Sequence, residues 1–218
     1  MSITEFIKLH NLGSRVAAAT HDPVFARVER VAADIAAGRI IVLFDPVVGE
    51  AVLVVAAEFA TTACLAFMVR YTSGFVKVTV PESDCIRLQL PPMWALAESQ
   101  GCHELTVTVD ASEGIGTGIS AADRAQTIRT IADVAAGPAA LTRPGHVAPM
   151  VVNANDPGTS GAVVRVMTRA GLRPLAAVCE LVSPADGTAM ADEAESIAFA
   201  HTHSLSFLSA SDLAASSS

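Results

Sequence analysis

The stretch Glu113-Gly-Ile-Gly-Thr-Gly-Ile-Ser-Ala-Ala-Asp-Arg-Ala-Gln-Thr-Ile128 restricts this chain more than any other. Gly114, Gly116 and Gly118 fall within five residues, so the backbone can turn sharply there and come close to a ligand. Ser120, with Asp123 three residues on, reads as the start of a helix, and Ile128 and Ile131 follow at core spacing. A glycine-rich turn feeding a helix N-terminus presents free amide N–H groups at the positive end of the helix dipole. The 113–120 loop is therefore expected to offer amide donors to an oxyanion. An ordinary capped loop-to-helix turn explains the same spacing, so the glycines alone do not name a ligand.

Periodicity on either side of this turn sets the rest. Phe25, Val28, Val31, Ala32 and Ile35 recur at helical spacing, and Gly38 stops that helix. Ile40–Phe44 reads as a buried strand with Ala51–Val55 as its hairpin partner. Further strands are expected at Phe75–Val80, Leu105–Val109, Ala148–Val152, Ala176–Val182 and Leu205–Leu208. Helices are expected at Thr61–Arg70, from Ser120 to near Val134, at Gly161–Ala170 with Gly171 behind it, and at Asp192–His201. Strands and helices alternate without a regular βαβ rhythm, so a mixed sheet covered by helices is predicted. Residues 1–22 read as an N-terminal extension, 23–213 as one domain and 214–218 as a disordered tail.

Composition narrows the function classes. With 51% apolar and 17% charged residues, the chain is built for a buried core, not for disorder. A net charge of −8 argues against nucleic acid and an anionic membrane surface as partners. Cys64, Cys85, Cys102 and Cys179 form no C-x-x-C pair and read as reduced thiols of a cytoplasmic protein. No leader and no membrane-length apolar stretch are expected.

Six further motifs accompany the glycine turn. They are Gly38-Arg39, Val55-Ala-Ala-Glu-Phe-Ala-Thr61, Cys85-Ile-Arg-Leu-Gln-Leu-Pro-Pro-Met93, Arg143-Pro-Gly-His-Val-Ala-Pro149, Ala170-Gly-Leu-Arg-Pro174 and Val178-Cys-Glu180. In this order and spacing, over about residues 25–213, the chain resembles 3,4-dihydroxy-2-butanone 4-phosphate synthase. That riboflavin-pathway enzyme turns ribulose 5-phosphate into a four-carbon ketone phosphate and formate. The resemblance implies a three-layer α/β (α+β) fold that forms homodimers, with active sites between subunits. It also implies acid–base chemistry assisted by magnesium, a hard cation that takes oxygen ligands.

Individual positions depart from the family pattern. The acidic loop between the first two strands is reduced to Asp45-Pro-Val-Val-Gly-Glu50, with Val47 and Val48 where the family has arginine and a metal-binding glutamate. Thr159 and Gly161 stand where R-x-G-H-T-E-A would supply a ligating histidine and a glutamate, and Asp156 stands near its arginine. Tyr71-Thr72 replaces His-Gly, Lys77 replaces a cysteine, and Gly116 a threonine. These exchanges lead to the expectation of a repurposed, metal-independent enzyme without cofactor, acting on an uncharged or apolar small molecule in specialised metabolism. Glu180 and His146 would carry proton transfer, with Arg143 or Lys77 beside Glu180. Val47, Val48, Glu50, Tyr71, Lys77, Thr117, Ser120, Arg143 and Thr159 would line the pocket. Two alternatives stay open: an inactive partner that dimerises through the same fold, and the synthase itself.

Overall fold

Strands β1 (Ile41–Asp45) and β2 (Glu50–Ala56) carry the two-residue period that divides the core. In the computed structural model, which describes residues 23–93, 105–153, 155 and 158–216, Val42 and Phe44 of β1 and Leu53 and Val55 of β2 face one apolar cluster. Their neighbours Ile41, Leu43, Val52, Val54 and Ala56 face a second cluster on the other side. A strand that is apolar at every position must be covered on both faces, and helices supply both covers.

The first layer holds α2 (Thr62–Tyr71), α3 (Glu82–Leu88), α4 (Ala121–Ala132) and α6 (Glu193–Thr202), which contribute Leu65, Met68, Leu88, Ile128, Ile131 and Phe199. The second holds α1 (Pro23–Ala36), α5 (Thr159–Arg169) and α7 (Ala210–Ala215), with Val31, Ile35, Val166, Met167 and Leu213. Between them lie β1, β2, β3 (Lys77–Pro81), β4 (Val109–Ala111), β5 (Leu141–Val152), β6 (Ala176–Glu180) and β7 (Ser206–Ser209), in the order β4-β5-β3-β6-β2-β1-β7. The β1–β7 and β3–β5 pairs are parallel and the others antiparallel. The three-layer α/β arrangement with a mixed sheet is therefore as expected.

Helix starts follow their capping residues. Thr61 Oγ1 accepts the Cys64 N–H at 3.2 Å, Ser120 Oγ accepts the Asp123 N–H at 3.1 Å, and Asp192 with Glu195 completes a capping box. Gly38 and Gly171 both take positive φ just beyond their helices, as predicted. The strand expected at Leu105–Val109 is displaced. Leu105 and Thr106 make isolated bridges to Met150 and Pro92, and the regular strand begins only at Val109. Helices α3 and α7 were not anticipated, because seven and six residues are too few for a clear helical period. The expectations for residues 1–22, Cys102 and Asp156 lie outside the described residues.

Candidate functional site

The strand register gathers the polar residues at one end of the sheet. Lys77 opens β3 opposite Val178 of β6, and Glu180 lies two residues farther along β6, opposite Val52 of β2. Glu50 and Asp45 face each other at the β1–β2 turn, two residues beyond Val52. On the other flank, Lys77 pairs with Ala148 of β5, two residues after His146, and β5 is bordered by Asp110 on β4. No two of these residues are close in sequence apart from the turn pair. Only the pairing brings them together.

Glu180 is half-buried and accepts from two donors. Its Oε1 is bonded to Lys77 Nζ, and its Oε2 accepts from Ser73 Oγ at 3.3 Å. Lys77 is thus the partner of Glu180. Arg143, the other partner considered, is committed elsewhere: its guanidinium donates to the carbonyls of Leu88 at 2.6 Å and Leu141 at 3.0 Å. A planar five-donor fork suits several carbonyls at once, and here it ties β5 to the end of α3.

His146 is held by Asp110. Its backbone N–H donates to Asp110 Oδ1 at 2.9 Å, and its Nδ1 lies 2.7 Å from Oδ2. A carboxylate only accepts, so Nδ1 carries the proton and Nε2 is the acceptor of the neutral ring. The pair exists because two glycines make room. A Cβ on Gly118, at φ +90°, would overlap both Asp110 Oδ2 and His146 Nδ1, and one on Gly145 would overlap the Val109 backbone. Asp110 was missed in the sequence, since nothing near it announces its partner 36 residues away.

The glycine turn does not offer its amides as expected. Gly116 N–H donates to Asp123 Oδ1 at 3.2 Å and Gly118 N–H to Oδ2 at 3.0 Å. These bonds, that from Gly116 foremost, hold the Asp123 carboxyl below the usual carboxylate range. An anion from the same chain already occupies the place assigned to an oxyanion. Thr117 and Ser120 are exposed on this turn, Ser120 as the cap of α4. Arg124 lies buried beneath it, with Nη1 donating to Gly74 O at 3.1 Å.

At the far side Asp45 is only 1% exposed. Its Oδ1 accepts the Val47 N–H at 2.9 Å and its Oδ2 accepts from Thr159 Oγ1 at 3.0 Å, latching the β1–β2 turn to the start of α5. Val47 and Val48 do not line a dry cavity within the chain. They form the tip of the turn and are 88% and 60% exposed. Glu50 is partly exposed at the base of the turn. Tyr71 ends α2 in a ring cluster, 5.7 Å from Phe199 and 4.7 Å from His203. This cluster walls a cavity of about 930 Å³ that also meets Thr72, Ser73 and Ser183. Ser73 joins the cavity to Glu180. Among the described residues no three His, Cys, Asp or Glu side chains come together as a metal-holding group.

The sequence was also compared with known proteins. Residues 29–216 match the family described as 3,4-dihydroxy-2-butanone 4-phosphate synthase. The chain is 46% identical over 197 residues to riboflavin biosynthesis protein RibBA of Rhodococcus jostii (strain RHA1), covering 88% of this chain and 47% of that protein. It is 46% identical over 199 residues to the protein of the same name from Nocardia farcinica (strain IFM 10152), covering 88% and 48%. The chain thus spans about half the length of the curated relatives it matches. A crystal structure of 3,4-dihydroxy-2-butanone 4-phosphate synthase in complex with two magnesium ions superposes with a TM-score of 0.77 at 33% identity, covering 84% of this chain and 93% of that one. The Candida albicans synthase gives a TM-score of 0.80 at 33% identity, covering 88% and 97%.

Proposed function

The chain belongs to the 3,4-dihydroxy-2-butanone 4-phosphate synthase family, and on that premise we propose that it acts as this synthase in riboflavin biosynthesis, converting ribulose 5-phosphate into 3,4-dihydroxy-2-butanone 4-phosphate and formate. The observation that carries the reading is the 46% identity to riboflavin biosynthesis proteins across most of the chain. It corrects the expectation of a repurposed, metal-independent enzyme of specialised metabolism acting on an apolar substrate. That expectation gave a few exchanged positions more weight than the rest of the domain. The exposure of Val47 and Val48 also removes its physical basis, since they build no apolar pocket within the chain.

In this reading Glu180 and His146 are the two proton-transfer centres. Glu180, a carboxylate at the end of β6 held by Lys77 and Ser73, is assigned as the base. His146, oriented by Asp110, presents Nε2 as the second acid–base group. Enolisation of a ketose needs a base at carbon and an acid at oxygen, and these two groups can divide that work.

Magnesium is the cation that the family resemblance implies. Asp45 has both oxygens engaged by Val47 and Thr159, Glu180 is engaged by Lys77 and Ser73, and Asp110 by His146. These engagements leave Glu50, partly exposed at the base of the β1–β2 turn, as the described carboxylate that would hold the ion, since magnesium is bound through one or two carboxylates together with water and substrate oxygens; no step is assigned to it. A homodimer in the cytoplasm, acting on this small phosphorylated substrate, completes the reading. The test is formate released from ribulose 5-phosphate by purified protein, assayed with and without added magnesium. Formate above the no-enzyme blank is expected. None at saturating substrate and magnesium would overturn the proposal.

A further inference from the structure

Aromatic side chains are scarce in this chain, at 5% of its residues, and Tyr71 is its single tyrosine. Even so, Phe67, Tyr71, Phe199 and His203 gather in one cluster, with ring centroids 4.4–6.1 Å apart. Tyr71, Phe199 and His203 wall the cavity of about 930 Å³ between α2, α6 and the segment 182–187. That volume falls within the roughly 300–1,000 Å³ of sites for small organic molecules. The cavity lies on the face of the sheet toward which Cys179 points, with Phe199 in the same apolar cluster. Val178 faces the opposite cluster, and Glu180 follows Val178 by the two-residue period. The cavity is therefore separate from the ground in front of Glu180, and Ser73 stands between the two. Among the described residues, the Arg70 guanidinium, the Tyr71 hydroxyl and the His203 imidazole on this wall make no hydrogen bond. The lining carries one cation, Arg70, and one carboxylate, Glu195, so its fixed charges cancel. Glu195 has its two oxygens engaged by Ser183 Oγ at 2.7 Å and the Asp192 N–H at 3.3 Å.

We propose that this cavity binds an uncharged, planar aromatic molecule that carries a hydrogen-bond acceptor on its edge. The rings of Tyr71, Phe199 and His203 pack against the flat body, and the Tyr71 hydroxyl or Arg70 donates to the acceptor. Tilted and edge-on rings favour an aromatic guest beyond the area they cover, which aliphatic walls would not do. A lining whose charges cancel gives an ionised guest no counter-charge for the water it leaves behind. The inference is independent of the reaction proposed above, because it uses neither Glu180 nor His146.

The test is calorimetric titration of the full chain with 2-quinolone, a neutral flat bicycle with one carbonyl, at pH 8 and constant ionic strength. Wild type should bind it saturably. The saturated lactam octahydroquinolin-2-one and the anion 2-naphthoate should each bind about tenfold more weakly or worse. Ala198 is exposed on α6 at the cavity wall, so Ala198→Trp fills the space from outside and should abolish binding. His203→Ala should weaken binding about tenfold by removing one ring of the wall. Melting curves check that each variant folds, and Ala198→Trp tests the cavity without touching the buried Phe199. Wild type that does not take up 2-quinolone, or a folded Ala198→Trp that binds it within twofold of wild type, would overturn the site. Equal binding of the saturated lactam would overturn the aromatic assignment, and tighter binding of 2-naphthoate would overturn the uncharged one. Formate release from ribulose 5-phosphate bears on the proposed function alone and is unaffected by any of these results.

Discussion

Gly118 shows how one residue can decide whether a site exists. Its position is fixed from two sides, by φ +90° and by the Asp110–His146 pair pressed against its Cα. Gly118→Ala should separate the pair and strain the backbone, costing about 1–3 kcal/mol of stability and lowering the rate of formate release by about 10². Urea melts and steady-state kinetics would check both. Asp123 makes the complementary case. Its carboxyl titrates below a free aspartate's 3.8, so its hold on the turn is complete above that value and is lost as pH falls through the lower, folded one. Amide exchange at Gly116 and Gly118 should therefore stay slow at mildly acidic pH and quicken only below about pH 4. Turn amides that open at pH 5 would contradict this account. Thr159→Val removes one of two donors from a carboxylate that is 1% exposed. It should destabilise the protein by about 1–3 kcal/mol, read from its urea midpoint.

Among the elements, those with a clean period or a strong cap were legible in the sequence. The helix over Phe25–Ile35, the buried β1 and the Asp192 start of α6 all declared themselves. Asp192→Ala should remove the capping box and lower stability by about 1 kcal/mol, measurable as a shift in denaturation midpoint. The short helices α3 and α7 lacked enough turns to show a period, and β4 was misplaced by several residues. The β4 error has a physical origin. The apolar alternation through Leu105–Val109 exists, but its first part pairs only in single bridges, and the ladder with β5 shifts register between Val109 and Asp110. A local pattern says which side chains face inward, not which backbone will be there to bond.

At the scale of the whole molecule, two apolar clusters of the described residues are divided by a sheet, and Leu53 of β2 is fully buried in one of them. Leu53→Ala should cost about 2–5 kcal/mol in chemical denaturation, the range for a leucine removed from a tight core. The sequence by itself determined the layers, because alternate apolar residues on strands and a 3.6-residue stripe on helices can be buried in few other ways. It also carried Glu180, His146 and Lys77 as candidates, Glu180 as a carboxylate at the end of an apolar strand and the other two through their places in the family's motifs. Which of them meet was decided only by the tertiary structure. Lys77 and Glu180 are 103 residues apart, Asp110 and His146 36, and Asp45 and Thr159 114. Those contacts depend on strand order and register, which arise when distant segments pair and which no local spacing encodes. The same pairing sent Arg143 to backbone carbonyls and closed the turn amides on Asp123, two outcomes that residue type and motif could not distinguish from binding a ligand.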